Sequence, residues 1–275
     1  MHLVNGQRGA FIDITDRGFQ YGDGLFETIS VLAGIPLYYS RHIARLKRGC
    51  DRLGIPFLDF KVLEQEVYSL CQESEKAVIK IQISRGAGKT RGFKYAEPMQ
   101  PTRVVSLSPF PNYPKLLRTE GVLTRICNTR LGINPALAGI KHSNRLEQII
   151  ARAEWENAEI WEGVLLDADN FVVEGTMTNI FLVKGNTLYT PDIDRCGVAG
   201  IMRELVIGLA QRNDIDFVGG RITLGQLFDA DELFLTNSIV EIIPVKQLDD
   251  KVYSIGFFAK RFINWISECN ERQRV

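Results

Sequence analysis

The sequence predicts two domains of mixed helix and strand, an α/β or α+β chain, rather than one doubly wound sheet. Three observations carry this. Apolar–polar alternation and helical spacing both occur in each half of the chain. The length of 275 residues suits one large or two ordinary domains. Between the halves, Ser108 to Pro114 (SPFPNYP) carries three prolines in seven residues, which argues against a regular element and marks a linker. The expected division is a smaller N-terminal domain over 1–107, a linker over 108–114, and a larger C-terminal domain over 115–275.

The elements follow in order. Phe26 to Val31 reads as a strand, and Ala33-Gly34 as a turn into a second one at Ile35 to Tyr39. Ile43, Leu46, Cys50 and Leu53 mark a helix face, with Ser40 as its cap and Gly54 before Pro56 as its stop. Val62, Leu63, Val67 and Leu70 suggest a second helix. Ala77 to Ser84 alternates on Ile79, Ile81 and Ile83, and Arg103 to Leu107 is a further strand. Beyond the linker, strands are expected near Gly121 to Cys127, Gly163 to Leu166, Phe171 to Val173, Ile180 to Val183 and Thr187 to Tyr189. The turns DADN (Asp167 to Asn170) and KGN (Lys184 to Asn186) separate the later ones. Ile201 to Arg212 is a helix, Glu232 to Leu235 and Ile239 to Val245 are strands, and Phe257 to Cys269 is a last helix.

The stretch AGIKHSNRLEQIIARAEW (Ala138 to Trp155) holds a helix on which Leu146, Ile149, Ile150 and Ala153 form one predicted buried face. Asn144 followed by Glu147 reads as a capping box at its start. Lys141 precedes this helix among small and apolar neighbours. Two readings stay open. It is a surface lysine whose stem lies on apolar surface, or an amine held in an apolar pocket with a lowered pKa, ready to form a Schiff base.

Composition narrows the function classes. Lys+Arg and Asp+Glu balance at 33 each, with 45% apolar and 24% charged residues, so charge gives no reason to expect nucleic acid or an anionic membrane as partner. No apolar run approaches the length of a membrane helix, and the N-terminal residues do not read as a signal peptide. Five scattered cysteines without a C-x-x-C pair argue against a disulfide framework or thiolate metal site and fit a reducing cytoplasm. Only three histidines occur (His2, His42, His142), which disfavours a histidine-rich metal site and shifts proton transfer towards a lysine.

Phosphate-binding candidates need sorting. GAGKT (Gly86 to Thr90) resembles the end of a P-loop, but Ile83 stands where the first glycine is required and no helix start follows. YGDGLFE (Tyr21 to Glu27) lacks the third glycine of a dinucleotide fingerprint. Gly197 to Met202 leads straight into a helix and offers free first-turn amides, or is an ordinary loop before a helix. Thr236-Asn237-Ser238 offers hydroxyls and amides after an apolar strand. Arg45 is either one of several solvated arginines or a phosphate clamp. Glu174, beside Gly175 at a strand end, is either solvated or directed into a cleft.

Taken together, YGDGLFET, HIARL around Arg45, ISRG (Ile83 to Gly86), GIKHSNRLEQ, VEGTMTNIF, GVAGIMR and LTNS resemble, in order, the fold-type IV pyridoxal-phosphate enzymes. That family holds branched-chain and D-amino-acid aminotransferases and aminodeoxychorismate lyases. The resemblance implies a two-domain fold with the active site in the cleft between domains, a homodimer, and pyridoxal 5'-phosphate as cofactor. It implies that Lys141, carried by the C-terminal domain, is the Schiff-base lysine, and that Glu174 faces the pyridine nitrogen. It further implies that Arg45, Thr178, Asn179, Gly200, Ile201, Met202, Thr236 and Asn237 bind the cofactor. AGIKHSNRLEQ is similar to the lyase pattern, and Thr28 stands where branched-chain aminotransferases tend to carry glycine. The lyase resemblance makes Thr28 a second catalytic group, and Arg91 and Asn144 ligands of an aminodeoxychorismate substrate. An aminotransferase for branched-chain or D-amino acids is the alternative.

Overall fold

The computed structural model describes residues 1–9, 11–56, 59–88, 91–95 and 99–273. The chain divides into two compact units: Met1–Pro111 with Ile140–Asn144 and the chain end from Gln273, and Asn112–Gly139 with Arg145–Arg272.

The first unit runs β1 (His2–Val4), β2 (Gln7–Arg8), α1 (Arg17–Tyr21), β3 (Gly24–Leu32), β4 (Ile35–Pro36), α2 (Tyr39–Leu53), α3 (Phe60–Cys71), β5 (Lys76–Ser84) and β6 (Thr102–Pro109). Its described strands form one antiparallel sheet in the order β2-β1-β6-β5-β3-β4. The period of two is plain on β3, where Leu25, Glu27, Ile29 and Val31 are buried and Phe26 and Thr28 face the other way, half-buried. Helix α2 packs on β3. A Cβ at Gly49 would come 2.8 Å from the Leu25 methyls, so glycine permits this close approach.

Three expectations change here. Ser40 does not cap α2; the helix starts at Tyr39, after Tyr38 in a left-handed conformation (φ 55°) without a side-chain cap. Gly54 does end it, in the left-handed conformation that favours glycine (φ 61°). The strand expected over Ile35 to Tyr39 is only Ile35–Pro36, because the chain turns into α2. The proline-rich segment starts late: Ser108 and Pro109 end β6 opposite Val78 and Ala77, since a strand terminus tolerates proline. Lys89 and Thr90 of the GAGKT segment lie outside the described residues.

The second unit runs α4 (Leu116–Glu120), β7 (Val122–Leu131), α5 (Leu146–Arg152), β8 (Ile160–Asp167), β9 (Phe171–Gly175), β10 (Asn179–Lys184), β11 (Thr187–Pro191), α6 (Ile201–Arg212), β12 (Asp216–Gly220), β13 (Ile222–Thr223), α7 (Leu224–Phe228), β14 (Glu232–Asn237), β15 (Glu241–Leu248), β16 (Lys251–Val252) and α8 (Phe257–Arg272). Its described strands order as β12-β11-β10-β14-β15-β7-β8-β9-β13, with β16 on β15. The pairs β7–β8, β7–β15 and β11–β12 are parallel and the others antiparallel. Ile180, Leu182, Leu233 and Leu235 join Val164, Val172 and Val245 in one core layer. On the opposite face Phe181 stacks on Phe234 at 5.0 Å, and Phe262 of α8 completes that layer.

Helix α5 departs most from expectation. Leu146, Ile149 and Ile150 are 72%, 61% and 58% exposed, and Ala151 is the residue that packs inward. The spacing makes the helix amphipathic, but the element it would pack against is not fixed by spacing. The capping box is also absent. The Asn144 amide donates to the Gly22 carbonyl at 3.1 Å, and the Glu147 carboxylate accepts from the Gly132 N–H at 2.8 Å. Among the described residues, no helix is long and apolar enough to cross a membrane.

Candidate active site

In the first unit, the stretch with Lys141 joins the free edge of β3. The Phe26 N–H donates to the Lys141 carbonyl and the Ser143 N–H to the Gly24 carbonyl, both at 2.9 Å, with a bridge between Leu25 and His142. These bonds place Ile140–Asn144 with the first unit, whereas the sequence expectation assigned Lys141 to the C-terminal domain. The Lys141 ammonium lies 4.4 Å from the centre of the Phe26 ring, on the face of β3 that also carries Thr28. Lys141 is half-buried, and so is Thr28.

On the opposite face of β3, Glu27 is 1% exposed. Arg45 donates from Nε to Oε1 at 2.8 Å and from Nη2 to Oε2 at 2.6 Å. His42 Nδ1 lies 2.6 Å from the same Oε2. Burial alone would raise the Glu27 pKa, but the charge and hydrogen bonds of Arg45, with those of His42, pull it down to about 2. Glu27 is therefore ionised and His42 Nδ1 is the donor. Burial lowers the His42 pKa; Glu27 works against this, while the charges of Arg45 and Lys141 add to it. His42 Nε2 is buried and has no hydrogen-bond partner among the described residues. Arg91 is exposed.

In the second unit, a set of bonds converges on the loop before α6. The Val198 N–H donates to Glu174 Oε2 at 2.8 Å, and the Asn179 amide donates to the Val198 carbonyl at 2.9 Å. Both backbone polar groups of Val198 are thus held, one by the end of β9 and the other by the start of β10. Gly197 has φ 81°, and a Cβ there would come 2.8 Å from Val173. Gly200 precedes α6 without any side-chain cap, and a Cβ on it would lie 2.0 Å from Asn179 Oδ1. Ile201 and Met202, the first residues of α6, are buried. The first-turn amides of a 12-residue helix have no partners within the helix and favour an anion.

Thr236 sits directly across from Asn179 in the β10–β14 register. Its hydroxyl is buried and has no hydrogen-bond partner among the described residues. A buried orphan hydroxyl costs free energy unless a ligand or water satisfies it. Asn237 shapes the turn after β14: its Oδ1 accepts from the Ile239 and Val240 N–H groups. Arg145 is partly buried, which lowers its pKa, while the charges of Glu174 and Glu147 oppose that.

Two acidic residues escaped the sequence reading. Glu27 leaves a signal, a charge at an inward position between Leu25 and Ile29. Glu162 leaves less. It is fully buried and accepts from the Gly163, Thr176 and Met177 N–H groups and from the Thr176 and Thr178 hydroxyls, at 2.5–3.1 Å. Thr178 thus ties the turn between β9 and β10 to Glu162, and the turn delivers Asn179. Burial raises the Glu162 pKa against these donors.

The chain is 37% identical over 257 residues to an aminodeoxychorismate lyase of Vibrio harveyi, covering 94% of each protein. It is 29% identical over 252 residues to a D-alanine aminotransferase of Bacillus licheniformis, covering 89% of this chain and 86% of that one. The crystal structure of 4-amino-4-deoxychorismate lyase from Pseudomonas aeruginosa superposes with a TM-score of 0.94 at 42% identity, over 98% of both chains. The family model for class IV amino-transferases matches residues 24–248, and the chain belongs to that family.

Proposed function

We propose that the protein is a pyridoxal-phosphate-dependent lyase that converts 4-amino-4-deoxychorismate to 4-aminobenzoate and pyruvate. The observation that carries this reading is the likeness to two lyases, at 37% and 42% identity over nearly the whole chain. The residues fit the cofactor's chemistry. In the second unit the buried Thr236 hydroxyl has no partner among the described residues and the first-turn amides of α6 favour an anion; in the first unit Arg45 carries a cation. When bound, the cofactor supplies a carbonyl for amines, a ring that accepts electrons and a phosphate that anchors it.

The chain's own groups take these roles. Lys141 Nζ is the covalent attachment point. Freed when the substrate amine takes its place, it then removes the proton from the substrate carbon that bears nitrogen. Departure of the enolpyruvyl oxygen substituent makes the ring aromatic, and Lys141, with the Thr28 hydroxyl, returns a proton to the methylene carbon to give pyruvate. Glu174, its Oε2 fixed by the Val198 N–H, holds the ring nitrogen protonated. Gly200, Ile201, Met202, Thr236 and Arg45 take the phosphate, while Thr178, Asn179 and Asn237 hold the surrounding backbone. Arg91 and Asn144 serve the substrate. The product is a precursor for folate synthesis in the cytoplasm. The exposed apolar row Leu146, Ile149 and Ile150 supports a homodimer, to be read by sedimentation.

The test is the protein with cofactor and 4-amino-4-deoxychorismate but no amino acceptor. Equal amounts of pyruvate and 4-aminobenzoate are expected; absence of both refutes the lyase. The aminotransferase reading draws on the D-alanine aminotransferase likeness. It is favoured if turnover requires a keto acid and an amino acid alone converts the cofactor to its amine form.

A further inference from the structure

Glu27 has no evident place in the interior. Its neighbours on the inward face of β3 are Leu25 and Ile29, and an apolar residue would suit that row. A buried ion pair seldom stabilises a fold more than apolar residues of similar size. What a two-point carboxylate–guanidinium contact does provide is a fixed plane and direction for the arginine. Arg45 bonds Glu27 through Nε and Nη2, so the whole guanidinium is oriented by one carboxylate. That carboxylate is itself held. His42, one turn earlier on α2, bonds the Oε2 that also receives Arg45 Nη2. Three side chains from one strand and one helix thus meet at one buried carboxylate.

We infer that Glu27 is a positioning residue for the Arg45 anion clamp, with His42 bracing the Glu27 carboxylate from its other side. The inference rests on the reading of Arg45 as a ligand of the cofactor phosphate, and goes beyond it by assigning Glu27 and His42. It makes a prediction of sign. If Glu27 acted only through its charge, it would repel a phosphate dianion, and neutralising it would strengthen phosphate binding. If it acts by holding Arg45 in place, neutralising it weakens binding.

The measurement is binding to the apoprotein of pyridoxal 5'-phosphate and of pyridoxal, which lacks the phosphate, by titration of the change in visible absorbance. The ratio of the two affinities isolates the phosphate. E27Q keeps the size of the side chain and removes its charge. The ratio is expected to fall about tenfold in E27Q, the equivalent of one charge-assisted hydrogen bond, and to recover partly in E27D. A ratio unchanged or raised in E27Q overturns the inference. R45Q separates this from the underlying reading. If R45Q leaves the ratio intact, Arg45 is not a phosphate ligand and that reading fails. If R45Q lowers the ratio and E27Q does not, only the positioning role fails. Should E27Q not fold, H42L replaces it: a lowered ratio, restored in H42N, which keeps a donor near Nδ1, supports the inference, and an unchanged ratio in H42L overturns it.

Discussion

The Glu27–Arg45 pair makes a quantitative stability prediction. Holding the Glu27 carboxyl at about 2 instead of 4.5 is worth, at about 1.4 kcal/mol per factor of ten, about 3 kcal/mol at neutral pH. Replacing Arg45 by Met removes the main cause of that depression and leaves a buried carboxylate with His42 as its remaining partner. The expected loss is about 3 kcal/mol, in line with the about 3–5 kcal/mol of broken buried pairs. The double variant E27L/R45M removes both charges and should recover most of it, short by about 1 kcal/mol because His42 Nδ1 then lacks an acceptor. The pH dependence has a definite sign. A depressed folded pKa contributes stability that is full above about 4.5 and disappears as pH falls towards about 2. The gap between wild type and R45M therefore closes across that window. Urea unfolding of the apoprotein, followed by circular dichroism from pH 7 down to pH 3, measures it. An R45M as stable as wild type at pH 7, a double variant no better than the single one, or a gap that widens in acid would refute the reasoning.

Three further outcomes follow from single positions. Thr236→Val removes a buried hydroxyl that has no partner, so the apoprotein should lose no stability while cofactor affinity falls about tenfold; a destabilised apoprotein with normal affinity contradicts this. Gly200→Ala places a Cβ 2.0 Å from Asn179 Oδ1 and should cost about 1–3 kcal/mol in urea unfolding, alanine also being the poorer residue at a helix N-cap. The thiols of Cys50, Cys71, Cys127 and Cys196 are pushed up to about 12 by burial, so iodoacetamide at pH 8 should label Cys269 first, read by peptide mass spectrometry.

Much of the frame was legible in the residues. Helix α6 has the bounds expected from the sequence, Gly54 stops α2, β5 lies where alternation put it, and β3, β8 and β10 span the other stretches read as strands. The candidate site was legible in part. Gly197 to Met202 reads as a loop opening a helix, and that is how it folds. Lys141 was ambiguous in isolation, and only the order of surrounding motifs separated its two readings.

Periodicity and capping chemistry are local, so the sequence alone determines where the chain can be helix or strand and which side of each element is apolar. What meets that side depends on residues far away in the chain, and only the tertiary structure decides it. This is why the apolar row of α5 is exposed rather than buried, and why Asn144 bonds Gly22 instead of capping a helix. It is also why Lys141 lies along the edge of β3, more than a hundred residues upstream in the sequence. Glu27 depends on α2 for its charge, because without Arg45 and His42 burial would drive that carboxylate to take up a proton.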